Sequence, residues 1–196
     1  MNAQEFREIF DQKRAGAGFD GYKDVMDIIE CVRTEGDAAL LDYTEKFDGR
    51  KPESFKVPAS ALKASYDAIS DEEKTALETI RTRIERYQES IKYEDRDDGE
   101  FQYVYHPIEK IGVYVPGGTA LYPSSVLMTV VPALAAGVRE IHVTTPTFDE
   151  NNITFAALYI CGVEDVYTVG GAQAIAALAY GTESIPKVDK IVGPGN

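Results

Sequence analysis

The chain is 196 residues long, 44% hydrophobic and 27% charged, with a formal net charge of −13 and two cysteines. That length can bury a real core in one large domain or two small ones, and so acidic a surface repels phosphate backbones, which argues against nucleic acid as a partner. Cys31 and Cys161 are too few for a disulfide framework and read as structural thiols. With a polar N-terminus and no apolar run approaching about 18 residues, the expectation is no signal peptide, no membrane span and a cytoplasmic location.

The charge is front-loaded. Twenty-five acidic against 16 basic residues up to Glu100 give −9, which leaves −4 for the remainder. Phe6, Ile9 and Phe10 in Gln4–Arg14 lie at helical spacing before Gly16-Ala17-Gly18. Val25, Met26, Ile28, Ile29 and Val32 continue that spacing through Tyr22–Tyr43, and Gly36-Asp37 divides the stretch into two helices. Phe47–Pro58 reads as a loop with a short strand at Phe55–Val57, and Ser60 as the cap of a short helix reaching Ile69. Ser70 followed by Glu73 is a capping-box signature, opening a helix to about Ile91 whose charged face reads as solvated. Asp95–Gly99 is a polar boundary, and Glu100–His106 alternates loosely like a strand. The mainly helical region is thus 1–107.

From Ile108 to the end, 108–196, a β-α rhythm takes over. Strands are expected at Ile111–Val115, Glu140–Thr145, Asp165–Val169 and Lys190–Val192. Helices are expected at Ser125–Ala136, with Pro132 inside it, at Asn151–Cys161 and at Ala172–Ala179. This alternation predicts an α/β fold with a doubly wound parallel sheet. Strand C-termini would then share one edge, where such sheets bind ligands. Three of those four ends are glycine-rich: Pro116-Gly117-Gly118, Gly170-Gly171 and Gly193-Pro194-Gly195-Asn196. Tyr114, Ser124, Ser125, Thr144, Gln173 and Asn196 add hydrogen-bonding groups suited to a ribose, an amide or a phosphate, but no obvious base or nucleophile. G-x-G-x-x-G is absent, so by pattern alone nucleotide binding and plain tight turns weigh equally. Glu183 and Asp189 read as caps or solvated loop groups near this rim, and His106 and His142 as structural. No H-E-x-x-H, C-x-x-C or histidine cluster offers a metal site.

Two stretches go beyond pattern. IGVYVPGGTALYPSSVLMTVVPALAAGV (111–138) and VGGAQAIAALAYGTESIPKVDKIVGPGN (169–196) closely resemble histidinol dehydrogenase. The likeness weakens before Glu109, although the helical preface fits the family's N-terminal region. The resemblance implies an incomplete Rossmann-like pair of domains of the aldehyde-dehydrogenase type, assembled as an intertwined homodimer. It implies oxidation of L-histidinol through L-histidinal to L-histidine, with two NAD molecules used in turn, a zinc ion holding the substrate and a Glu-His pair moving protons. The family's NAD-contacting Tyr, Gln and Asn match Tyr114, Gln173 and Asn196. Its zinc ligands and catalytic pair lie beyond position 196, so no residue here inherits a catalytic or metal role. The chain then looks like an N-terminal portion that is inactive alone. A relative oxidising another small alcohol and a non-catalytic nucleotide-binding module are the alternatives.

Overall fold

The computed structural model describes residues 20–117, 120–146 and 152–194. The helix expected at Gln4–Arg14, Gly118, Gly195 and Asn196 fall outside them.

Helices α1 (Asp20–Glu35) and α2 (Asp37–Asp48) meet at Gly36, as the Gly-Asp break predicts. α3 (Ala59–Ala68) starts one residue before Ser60, and its N-cap is Pro58 in extended conformation with no side-chain cap bond. Proline does well here because its fixed φ feeds the first turn and no donor is left over. α4 (Asp71–Ile91) opens with the expected capping box: Glu73 N–H donates to Ser70 Oγ, and the Glu73 carboxylate accepts from Ser70 N–H. The alternation around Glu100–His106 shrinks to a small antiparallel ladder, β1 (Arg96–Asp97) with β2 (Gln102–Tyr103). Asp97 and Asp98 explain it, since their carboxylates accept turn N–H groups from Gly99, Glu100 and Phe101 and tie the strand into a hairpin.

The β-α rhythm appears as β3 (Lys110–Tyr114), α5 (Pro123–Ala135), β4 (Glu140–Thr144), α6 (Ile153–Ile160), β5 (Asp165–Tyr167), α7 (Gly171–Tyr180) and β6 (Lys190–Val192). The strands form one parallel sheet in the order β5-β4-β3-β6. α5 begins at Pro123, with Tyr122 as N-cap, rather than at a serine. Ser124 and Ser125 therefore lie in the first turn, and Pro at its start supplies the preset φ. The short segment Phe55–Val57 flanks the β5 edge: Val57 N–H donates to Val166 C=O and Thr168 N–H to Phe55 C=O, both at 2.8 Å, around an antiparallel bridge of Lys56 and Tyr167. That segment covers an edge that would otherwise be open.

Both faces of the sheet are buried, as parallel sheets require. On one face Ile111, Val113, Ile141, Val143 and Val166 pack with α5, α6, Leu62 of α3 and Leu77 of α4. On the other, Tyr167 and Val169 pack with Leu178 of α7, Leu40 of α2 and Val32 of α1. The early helices thus divide, α1 and α2 to one layer and α3 and α4 to the other. Among the described residues no helix is long and apolar enough to cross a membrane.

Candidate nucleotide half-site

β3, first of the parallel strands, has β4 and β5 on one side and β6 on the other, so the strand order reverses between β3 and β6. A crevice at the C-terminal end of such a reversal is where open α/β sheets take ligands. The described part of that rim holds Tyr114-Val115-Pro116-Gly117, Thr144-Thr145-Pro146, Thr168–Gly171 and Gly193-Pro194.

Its centre is built by two glycines and two polar side chains. Gly193 follows β6 with φ +144, and a Cβ there would sit 3.0 Å from the Tyr114 carbonyl carbon and closer still to its oxygen. Only glycine lets β6 leave the sheet this close to β3. Gly171 opens α7 with φ +66, and its N–H donates to Tyr114 Oη at 3.3 Å. A Cβ on Gly171 would lie 2.6 Å from Gln173 Oε1. The Gln173 side chain, 2% exposed, thus nests against the backbone of its own helix start. Gln173 Oε1 is buried without a hydrogen-bond partner among the described residues, an expensive arrangement unless something else supplies a donor. Tyr114 and Gln173 therefore both lie against Gly171 at the first turn of α7. Asn196 lies outside the described residues.

The other rim groups differ in character. Thr144 is fully buried, its Oγ1 without a described partner. Ser124 is exposed and Ser125 half-buried at the start of α5. Arg50, which no sequence signal singled out, reaches the β5 exit: Nη1 donates to Thr168 Oγ1 at 3.3 Å and Nη2 to the Thr168 carbonyl. Burial pushes the neighbouring Asp48 carboxyl above its ordinary range, while the Arg50 charge works against that rise. Burial likewise lowers Arg50, opposed by Asp48.

Glu183 and Asp189 are not at this rim. They lie in the loop between the C-terminus of α7 and the start of β6, at the opposite edge of the sheet. There Asp189 Oδ2 accepts from Lys110 N–H at 3.1 Å, Asp189 N–H donates to Lys110 C=O at 3.0 Å, and Glu183 Oε2 accepts from Asp37 N–H at 2.8 Å. Both act as backbone caps, and sequence reasoning misplaced them because the distance from a turn glycine along the chain does not tell which edge the turn occupies. His142, 4% exposed on β4, has Nδ1 3.5 Å from Tyr167 Oη and 3.9 Å from Asp165 Oδ2, with Nε2 3.8 Å from Glu140 Oε2. Burial, and then the Asp165 charge, raise the Tyr167 phenol to about 12. His106 is exposed.

The family model described as histidinol dehydrogenase matches residues 13–196. The histidinol dehydrogenase of Staphylococcus saprophyticus is 51% identical over 180 residues, covering 90% of this chain and 43% of the relative. That of Staphylococcus epidermidis ATCC 12228 is 48% identical over 201 residues, covering 100% and 48%. The crystal structure of histidinol dehydrogenase from Elizabethkingia anophelis superposes with a TM-score of 0.84 at 35% identity, over 91% of this chain and 43% of that one. The chain thus spans less than half the length of these relatives, the share expected of an N-terminal portion. The parallel sheet, the glycine-bounded rim and these matches together place the chain in the histidinol dehydrogenase family.

Proposed function

We propose that the chain carries the nucleotide half-site of an NAD- and zinc-dependent histidinol dehydrogenase, within the Rossmann-like region 108–196. The observation that supports this most is the placing of Tyr114 and Gln173 on either side of Gly171 at the start of α7, with Gln173 Oε1 buried and without a described partner. These are two of the three residues to which the family likeness gives NAD contact; the third is Asn196.

The residues fit a dinucleotide. The Tyr114 hydroxyl can donate or accept, the Gln173 amide offers both, and the α7 N-terminus adds backbone N–H groups with a positive helix end. Bound NAD supplies hydride acceptance, and the protein contributes position and electrostatics. Tyr114 and Gln173 would fix the register of the nucleotide along the rim, and Gly193 would keep β6 close against the Tyr114 backbone beside it. Zinc is different. Among the described residues no group of three or more His, Cys, Asp or Glu gathers to hold a metal. The L-histidinol substrate and the homodimer belong to the whole enzyme and are carried over from the family.

Calorimetric titration of NAD tests this reading. Gln173→Ala is expected to weaken binding about tenfold, by loss of one buried amide partner, and Tyr114→Phe by less. The 196 residues supplied with zinc, NAD and L-histidinol are expected to form no NADH. Zinc-dependent turnover, or NAD affinity indifferent to Gln173→Ala, would overturn the assignment.

A further inference from the structure

Helix α1 packs most extensively along α7, while α2 touches α7 less and is hydrogen-bonded beyond both ends of it. Helices α2 and α7 have 12 and 10 residues, about 18 and 15 Å long. At the start of α2, Asp37 N–H donates to Glu183 Oε2 at 2.8 Å, while Ser184 donates from its N–H to Asp37 Oδ1 at 3.3 Å and from its hydroxyl to Asp37 Oδ2. Glu183 and Ser184 lie just past the C-terminus of α7. At the other end, Arg50 holds Thr168 by carbonyl and hydroxyl, just before the α7 N-cap Gly170. α2 therefore runs antiparallel to α7. Between the two anchors, Ala39 and Leu40 share a buried cluster with Ala174, Ala177 and Leu178.

The two kinds of contact do different work. Alanine and leucine faces attract without fixing register, because hydrophobic burial is non-directional. Hydrogen bonds weaken steeply with distance and angle, so a set at each end fixes the axial position. The carboxylate of Glu183 and the guanidinium of Arg50 are charged partners, and charge-assisted bonds of this kind are the stronger ones. What is fixed is the helix whose first turn carries Gly171 and Gln173.

We propose that α2 is a strap on α7, and that Arg50, Asp37 and Glu183 are positioning residues that set the Gly171–Gln173 turn against Tyr114. The consequence for ligand affinity rests on the nucleotide reading above; the strap itself does not.

Single-residue amide exchange and NAD titration, on this chain and on Arg50→Met and Glu183→Ala, test it. The Gly171 N–H, bonded to Tyr114 Oη, and the Ala174 N–H, bonded to Gly170 C=O, report on the turn. Both are expected to exchange about tenfold faster in each variant, with the β3 and β4 amides unchanged, and NAD affinity is expected to fall in parallel. Arg50→Lys, which keeps the charge but not the forked geometry, is expected to fall between. Wild-type exchange at Gly171 and Ala174 in a folded variant would overturn the strap. So would equal acceleration throughout β3 and β4, which reads as a general loss of stability. If the unaltered chain takes up no NAD, the nucleotide reading fails and the exchange pattern alone decides the strap.

Discussion

A methyl group at position 193 has no room, because the Tyr114 carbonyl already occupies its place and the backbone there holds φ +144. Gly193→Ala is therefore expected to cost about 2–4 kcal/mol through backbone strain and displacement of β6, seen as a lower urea midpoint. Gln173 tells the opposite story. Its place among the polar groups of the rim was legible from the β-α pattern, but its burial beside Gly171 was not, and the assignment of NAD contact came from the family likeness alone. The cysteines differ as their surroundings do. Cys161 is buried, and desolvation raises its thiol to about 11. It is expected to resist iodoacetamide at pH 8 in the folded chain and to react once denaturant opens the core, since the thiolate is the nucleophile. Alkylation of Cys161 at the rate of a free thiol without denaturant would refute that. The side chain of half-buried Cys31, and then burial, raise the Tyr43 phenol to about 12.

Among the elements, α4 was legible in full because its signals are local. Ser70 and Glu73 are three residues apart and bond each other. Ser70→Ala is expected to cost about 1 kcal/mol, measured as a loss of unfolding free energy. The Ser70 backbone N–H, and then its hydroxyl, hold the Glu73 carboxyl below its ordinary range. A carboxyl depressed in the folded state binds its proton later than in the unfolded one. Its contribution is thus present above the ordinary glutamate range and lost as pH falls below that range through the depressed folded value. Exchange at the Glu73 amide is expected to quicken over that interval, and Glu73→Gln to flatten the change. The β-α segments were legible for similar reasons, with strand and helix ends mostly displaced by one or two residues. The strap was not. Arg50 meets Thr168 across 118 positions and Asp37 meets Ser184 across 147, and no periodicity or cap signature reaches so far. For the same reason Glu183, read as a cap or a solvated group, could not be assigned the helix that it caps.

On the scale of the molecule, the two outer strands of the sheet are unequal. β5 is flanked by Phe55–Val57, whereas β6 pairs only with β3 among the described residues. Ile191 and Val192 on that open edge are half-buried. Far along the chain, Phe101, Tyr103 and the stacked Tyr93–Tyr105 pair are exposed around the small hairpin. An unpaired edge and an exposed aromatic group both favour contact between copies. The 196 residues are expected to self-associate at micromolar concentration, and light scattering showing a uniform monomer would contradict this. The two-layer burial of the sheet followed from its apolar strands; the division of the early helices between both layers did not, because an amphipathic face does not name the surface it will meet.

The strap also bears on how the chain is made. α2 leaves the ribosome more than a hundred residues before Thr168 and Ser184, its anchors, exist. One edge of β3 likewise waits for β6, while its other edge pairs with the earlier-made β4. Helices α1 and α2 are thus made well before the surface that seats them, and nascent chains shorter than about residue 185 must carry their apolar sides uncovered. That interval is when such a polypeptide is most exposed to proteases and most in need of a chaperone.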